Sequence, residues 1–262
     1  MYSVISLLGK RESNEDKHII IKNIKNKKAD LAPINLYGIF DGHGGKEVSS
    51  YLAKYIPYFF MNRQLTYPLE KKYICDVCEF IQEKLSHYPE AHTIGSTCLI
   101  LIEYMVEKKK WITLINLGDC RAVLCRNNLA IALTKDHKPN WPEEKKRISK
   151  LGGKIIYDGY DWRINNLSVS RSFGDFEASP YVSHLPDLYK YNIIKGDKFI
   201  IVGCDGLWDV VSNEEAVNFI LNECFDNLVS LNSKSRFIAK KLAQYAIKKG
   251  SGDNVTVIIV FL

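Results

Sequence analysis

Three apolar, strand-length runs in this 262-residue chain stop at, or start from, an aspartate with glycine beside it. Tyr37-Gly38-Ile39-Phe40 runs into Asp41-Gly42-His43-Gly44-Gly45, and Phe199-Ile200-Ile201-Val202-Gly203-Cys204 runs into Asp205-Gly206-Leu207-Trp208-Asp209. Ser251-Gly252-Asp253-Asn254 opens the final run, 255–262. These runs fall well short of the ~20 apolar residues that span a bilayer. A carboxylate at the tip of a buried strand is fixed by the sheet, and an adjacent glycine lets a ligand approach the backbone closely. Three such tips meeting at one sheet edge could hold hard divalent cations.

The length suits one large domain with a substantial core. Gly, Pro and Ser never concentrate into a linker, and the chain has no internal repeat or low-complexity tail. Strands are expected at 4–8, 18–24, 36–40, 96–105, 111–116, 122–126, 130–134, 188–193, 199–204 and 254–262. Helices are expected at 46–62, 69–87, 143–151, 214–222 and 234–249. Asn127-Asn128 suits a two-residue hairpin turn, Asn213 a helix N-cap and Gly250 a helix stop. The strands come in antiparallel-looking series, with helices between the series rather than alternating one for one. That order argues for packed antiparallel sheets with helices outside them, an α+β layering, against a doubly wound parallel sheet. The irregular stretch 135–175, with Pro139-Asn140-Trp141-Pro142 and Gly152-Gly153, reads as a flap-like lobe on a single domain spanning 1–262.

The N-terminus lacks a basic n-region and a small-residue cleavage site, so it reads as a first strand, and an intracellular location, cytoplasmic or nuclear, is expected. Seven scattered cysteines, an odd number set mostly in apolar runs, agree with a reducing compartment. Cys75-Asp76-Val77-Cys78 is a lone CxxC without the second pair that would complete a zinc site. The net charge of +6 includes basic clusters at 22–28 and 108–110, which read as solvated loops, with attraction to anionic phosphoproteins or nucleic acid as the sharper alternative. Neither cluster interleaves the aromatics of a nucleic-acid stacking surface. No nucleic-acid or membrane partner is expected.

Asp41 is the leading metal candidate. It could instead cap the helix expected after Gly44-Gly45. Gly42, whose exposed carbonyl is a further oxygen ligand, and His43, within reach of anything bound at the tip, favour a metal. Asp205 and Asp209 are four residues apart, so both face one site if Asp209 lies a helical turn beyond the strand end; a strand stop and a turn cap are the alternative. Asp253-Asn254 is also a common turn dipeptide. It is the three elements together that carry the reading. Arg11-Glu12-Ser13-Asn14-Glu15-Asp16 is either a surface salt-bridge loop or a site where Arg11 grips a phosphate while Glu15 and Asp16 hold metal-bound water. No histidine stands at HExxH-type spacing, which disfavours zinc, and an all-oxygen donor set suits Mg²⁺ or Mn²⁺. Crowded carboxylates repel one another unless a cation offsets them. Two cations bridged by Asp41 would acidify a shared water and clamp phosphoryl oxygens. The residues thus read as a metal-dependent phosphate-ester hydrolase.

Nine stretches, in order, resemble the metal-dependent type 2C protein serine/threonine phosphatases: 11–16, 40–45, Gly95-Ser96-Thr97, 117–124, 134–139, 144–153, 167–175, 205–210 and 253–257. The resemblance implies a two-sheet β-sandwich flanked by helices, four layers αββα, with two Mg²⁺ or Mn²⁺ ions per subunit at one end. It implies Asp41, Asp205 and Asp253 as ligands of one ion. Asp41 and the Gly42 carbonyl would ligate the second, with Glu15 and Asp16 acting through water. A weaker third ion would fall to Asp136 and Asp209. Arg11 would bind the substrate phosphate, and His43 would protonate the leaving alkoxide after direct attack by a metal-bridging water. Phosphorylated proteins are the implied substrates, and a monomeric, bare catalytic domain the expected form. A catalytically inactive phosphoprotein-binding relative is the alternative, and a hydrolase of nucleic acid or small phosphate esters a second. The chain departs from the family at Cys120, where serine is usual, and at Asn165-Asn166, in place of a small residue and glycine. Asp119 and Asp175 are expected to be structural, and His137 a packing residue.

Overall fold

Successive residues along the apolar runs face two different cores, which is why these runs are apolar throughout rather than alternating with polar residues. The computed structural model describes residues 1–25, 33–62, 64–225 and 235–262. One antiparallel sheet has the strand order β1 (Tyr2–Leu7), β15 (Val255–Phe261), β14 (Asp197–Gly203), β8 (Arg121–Arg126) and β9 (Leu129–Ala132). The second has the order β13 (Asp187–Asn192), β7 (Lys109–Leu117), β6 (Cys98–Val106), β3 (Ile34–Phe40) and β2 (Lys17–Ile24). Between the sheets, Tyr37, Ile39, Leu101 and Leu114 pack with Leu124, Ile200, Val202 and Ile258.

The alternate residues of the same strands point outward to helices. Leu36, Phe40, Ile100 and Ile115 share a core with α1 (Glu47–Phe60) and α2 (Lys71–Leu85) through Leu52, Ile56, Ile74 and Ile81. Phe199, Ile201, Val257 and Ile259 do so with Val217, Ile220 and Leu242 of α5 (Asn213–Cys224) and α6 (Ile238–Lys248). The layers are therefore helix, sheet, sheet, helix. Among the described residues, no helix is long and apolar enough to cross a membrane.

All ten expected strands and all five expected helices occur. Residue 234, the expected start of the last helix, and residues 26–28 of the first basic cluster lie outside the described residues. Asn127 and Asn128 both have positive φ, 51° and 68°, as the hairpin between β8 and β9 requires. One cap needs correcting. Ser212, not Asn213, is the N-cap of α5, its Oγ accepting from the Glu215 N–H at 3.1 Å. Either residue type can cap; the extended backbone falls on Ser212, and Asn213 instead accepts a 3.0 Å hydrogen bond from Arg121.

Short elements that no periodicity can reveal complete the fold. β4 (Gly42–His43), β5 (Gly95–Ser96) and β12 (Phe173–Gly174) form a small sheet in the order β12-β5-β4. The helix α4 (Asp205–Trp208) starts directly after β14. The lobe expected at 135–175 contains α3 (Pro142–Lys150) and the hairpin of β10 (Ile156–Tyr157) and β11 (Trp162–Arg163). It has its own small core of Ile148, Ile164, Ala178 and Val182.

A buried carboxylate ties this lobe to the sandwich. Glu144 accepts from Arg171 at 3.1 and 2.6 Å and from Arg147 at 3.2 and 2.8 Å, and Arg171 continues to Asp187 on β13 at 3.0 Å. Burial raises the pKa of Glu144, but the two guanidiniums outweigh it and hold the group at about 2, against an ordinary 4.5. A depressed folded-state pKa stabilises the fold above the unfolded-state value and is lost as pH falls towards the folded one. Glu144→Gln is expected to cost about 3 kcal/mol near neutrality, because two partly buried guanidiniums lose their counter-charge. In urea titrations the gap between wild type and variant should hold above pH 4.5 and narrow towards pH 2. A pH-independent gap would show that the charge of Glu144 does not anchor the lobe.

Candidate metal centre

Antiparallel pairing alone brings the acidic tips together. Gly203 at the end of β14 pairs with Val257 near the start of β15, so Asp205 and Asp253 share one end of the first sheet. Lys17 at the start of β2 pairs with Phe40 at the end of β3, which sets Glu15 and Asp16 beside Asp41. Strands β3 and β7 both run antiparallel to β6, so Asp119, just beyond β7, emerges at the same end as Asp41. These tips form the floor of a cleft of about 660 Å³ lined by Arg11, Glu15, Asp41, Gly42, His43, Asp119, Lys138, Asp205, Asp209 and Asp253.

Carboxylate oxygens of Asp41, Asp119 and Asp205 all lie within 4.8 Å of one another. Ligand oxygens about 2.1 Å from a Mg²⁺ ion sit within about 4.2 Å of each other, so these carboxylates stand close to the spacing that cation ligands need. Like charges about 4 Å apart repel by ~4 kcal/mol at an effective dielectric of 20. Burial and this crowding act on the group in the same direction. The pKa of Asp41 is raised well above the ordinary carboxylate range by burial, then by Asp205, Asp16 and Asp119. Asp205 is raised likewise by burial, then by Asp119 and Asp209, with Lys138 opposing. Asp209 is raised by burial, against Lys138. A hard cation offsets this repulsion with oxygen donors alone, so the residues fit Mg²⁺ or Mn²⁺.

The surroundings are built to hold these tips. Thr97 clamps the Asp41 backbone from both sides, its N–H donating to Asp41 O at 2.9 Å and its Oγ1 accepting from Asp41 N–H at 3.1 Å. Asn254 stitches the N-terminal loop to the start of β15. Its Oδ1 accepts from Glu15 N–H at 2.9 Å, and its Nδ2 donates to the carbonyls of Leu8 and Ser13, both at 2.9 Å. Arg11, at the exposed rim, donates to Asp253 at 2.7 Å. Glu15 accepts from the Gly45 N–H at 3.1 Å.

His43 is positioned across a strand. In the β12-β5-β4 sheet, Gly95 pairs with His43 on one side and with Gly174, which precedes Asp175, on the other. His43 Nε2 meets Asp175 Oδ2 at 2.7 Å over this glycine, and a Cβ at Gly95 would collide with both groups. Ser172 also donates to Asp175. Burial lowers the His43 pKa, but Asp175 outweighs it and leaves the imidazole above its ordinary value.

Of the expected site residues, Arg11, Glu15, Asp41, Gly42, His43, Asp205, Asp209 and Asp253 meet in the cleft. Asp205 and Asp209 do share a face, through α4, with Asp209 N–H donating to Asp205 O at 2.8 Å. Asp16 lies behind the cleft wall, buried, where Thr256 donates to it at 2.5 Å, and burial pushes its pKa up to about 6. Asp136 stands apart from them: it is buried in a fork with Arg121, at 3.0 and 2.5 Å, and does not line the cleft. Asp119, expected to be structural, lines the cleft beside Asp41 and Asp205. Its signal was present in the sequence, because Leu117-Gly118-Asp119 is a further strand running into an aspartate beside a glycine. Lys138, whose Nζ donates to Asp119 at 2.6 Å, was also missed. Burial lowers its pKa, but Asp119 and Asp205 hold the ammonium charged. Cys204 lies within 4.8 Å of Asp16 and Asp41, but burial keeps it a thiol, and it accepts from Thr256 N–H at 3.1 Å as part of the backbone support. His137 packs as expected, joining Gly118 N–H at 3.0 Å to Asp187 at 3.2 Å.

A helix-flanked double sheet with carboxylates converging at one end defines the class of an acidic-metal-centre fold. The family model of protein phosphatase 2C matches residues 1–255, and the chain belongs to that family. It is 51% identical over 171 residues to a PP2C-like domain-containing protein of Acanthamoeba polyphaga mimivirus, covering 59% of this chain and 96% of that one. Probable protein phosphatases 2C of Oryza sativa subsp. japonica and Arabidopsis thaliana are 35% and 34% identical over 97% and 99% of this chain. The chain spans 49% and 55% of their lengths. Among solved structures, a C. elegans sex determining protein matches with TM-score 0.84 at 26% identity, over 100% of this chain and 64% of that one. A serine-threonine phosphatase 2C from Toxoplasma gondii matches with TM-score 0.82 over 99% and 94% of the two chains; at 21% identity this likeness shows the fold.

Removing one repelling carboxylate should stabilise the metal-free protein while weakening metal binding. Asp205→Asn is expected to raise Tm in chelator by a few degrees, about 2–4 °C for each kcal/mol of relieved repulsion in a domain of this size. It should also lose most of the Tm rise that Mn²⁺ gives wild type, a rise that reflects about 2.7 kcal/mol of stabilisation at a hundredfold excess over Kd. A variant with lower Tm in chelator and an intact Mn²⁺ response would exclude Asp205 from the centre.

Proposed function

We propose that this chain is a Mg²⁺- or Mn²⁺-dependent protein serine/threonine phosphatase that hydrolyses phosphoserine and phosphothreonine in phosphorylated proteins, acting as a monomer. The observation that carries this reading is the convergence of three carboxylates within 4.8 Å on the floor of a cleft with a guanidinium at its rim and an imidazole at its side. Asp41, Asp205 and Asp253 would hold one ion, and Asp41 and the Gly42 carbonyl a second, with Glu15 and Asp16 contributing through water. A weaker third ion would fall to Asp119 and Asp209, since Asp136 is committed to Arg121. Such ions supply Lewis acidity, which offsets phosphoryl charge and makes water nucleophilic at neutral pH.

The protein's own groups do the rest. Arg11 and Asp253 form a solvent-exposed pair, a contact worth under about 1 kcal/mol. A phosphate dianion offers the guanidinium a stronger, two-pronged partner. Exchange of Asp253 for substrate phosphate frees an acidic oxygen and fixes the phosphoryl group in one step. His43 donates a proton to the departing serine or threonine oxygen, because an alkoxide is a poor leaving group, and such general acids contribute about 10²–10⁴-fold. Asp175 keeps the imidazole oriented and protonated for that transfer. The lobe above excludes water from one side and presents the substrate chain.

Two measurements test this. Phosphothreonine-peptide hydrolysis should require Mn²⁺ or Mg²⁺ and vanish in Asp41→Ala with the fold retained by circular dichroism; folded wild type that turns over no phosphopeptide would overturn the assignment. His43→Gln should slow phosphoserine-peptide hydrolysis by about 10²-fold or more and para-nitrophenyl phosphate much less, since nitrophenolate leaves without a proton. Equal losses on both substrates would remove His43 as the acid.

A further inference from the structure

The cleft continues beneath the lobe. Arg163 and Asn166, on its rim, also line a second depression of about 400 Å³ that extends past Lys154 to Tyr181. The wall between the two is the turn Asn165-Asn166, both residues in left-handed backbone at φ 47° and 67°. The turn is pinned rather than loose. Asn165 Nδ2 donates to the Glu177 carbonyl at 3.3 Å, and Arg163 Nη1 donates to the Asn166 carbonyl at 2.9 Å.

The charge of this depression is positive and partly unspent. Among the described residues that line it, the one carboxylate, Asp158, is already occupied: it accepts from Arg163 Nε and from the backbone N–H groups of Tyr160 and Asp161, both at 2.8 Å. Arg163 Nη2 has no hydrogen-bond partner among the described residues. The Lys154 ammonium is exposed and makes no ion pair or hydrogen bond with any of them. The floor is firm. Tyr181, whose carbonyl accepts from Arg147 at 2.8 Å, packs against the backbone of Gly153, where a Cβ would stand 2.7 Å from both Tyr181 and Ile148.

We propose that this depression is a subsite for an anionic side chain (Asp, Glu or a second phosphoresidue) lying a few residues from the phosphoresidue in the cleft, with Lys154 and Arg163 as its specificity residues. The inference rests on the phosphatase reading. The two cavities share Arg163 and Asn166, so one extended peptide, advancing about 3.3 Å per residue, occupies both. Binding an anion here uses the ammonium and the free guanidinium nitrogen while leaving the Arg163–Asp158 pair intact.

The test is a phosphothreonine peptide with alanine flanks, into which one Glu, or one phosphoserine, is placed at each of three positions before and after the phosphothreonine. kcat/KM for phosphothreonine loss is read relative to the all-alanine parent on the same preparation, so any unfolded fraction cancels. Wild type is expected to favour the anion on one side by about two- to fivefold, the range that solvent-accessible ion pairs support. A gain with both Glu and phosphoserine assigns the subsite to acidic side chains in general; a gain with phosphoserine alone assigns it to a second phosphate. Lys154→Glu should reverse the preference, so that Lys at the same position becomes the better substrate. A flat wild-type profile, or one unchanged in Lys154→Glu, overturns the subsite while leaving the phosphatase reading in place. Failure of wild type to hydrolyse even the parent peptide with Mn²⁺ overturns both.

Discussion

Carboxylates held within a few ångströms of one another at the end of the sandwich repel, and the surrounding architecture is what keeps them there. Each close like-charge pair costs ~4 kcal/mol at an effective dielectric of 20, a large share of the 5–15 kcal/mol that stabilises a typical domain. Burial first, and then that repulsion, raises the pKa values of Asp41 and Asp205. The sandwich withstands it because its inner layer, from Tyr37 and Leu101 to Ile200 and Ile258, is fully buried and packed on both sides by further apolar layers. Stiff strands cannot splay their tips apart without opening three cores at once. The cheapest relief is therefore a cation, with Lys138 as a permanent partial substitute on the Asp119 side.

Positions that the strands leave undetermined are set by side chains acting on backbone. Asn254 holds the loop that carries Arg11 and Glu15, Thr97 holds the Asp41 peptide from both sides, and Gly95 keeps clear the line between His43 and Asp175. None of these three touches a reacting group. Each sets a distance on which the chemistry depends, and rigid support of this kind separates a site that merely contains the right groups from one that uses them.

The lobe is a different kind of structure: a small apolar core of four buried residues, attached to the body through Glu144 and two arginines. Its attachment is polar because it lies over a wet cleft rather than against a sheet face. The exposed hairpin and the pinned Asn165-Asn166 turn stand at the rim of the cleft, apart from the acidic cluster on its floor. Variation in such a lobe can change what is recognised while the reaction stays the same.

Much of this was legible before any coordinates. The strands were readable because burial on two faces makes their sequence apolar without a break, and the cleft aspartates because each stands at one end of such a run. Asp41, Asp205 and Asp253 declared themselves in this way, and Asp119 carried the same signature after Leu117-Gly118 although it was read as a turn residue. What the chain could not declare was which acidic side chains would be spent elsewhere. Asp136 and Asp119 are both acidic residues beside strand ends, yet Arg121, reaching from the start of β8, captures Asp136 in a fork and leaves Asp119 to the cleft. The two-residue strands that align His43 with Asp175 are too short to have a period, and the partner lies 132 residues away. Local patterning determined which segments become strands and where their acidic ends fall; the choice among competing charges was tertiary, because ion pairs form between side chains that only the folded sheets bring within reach.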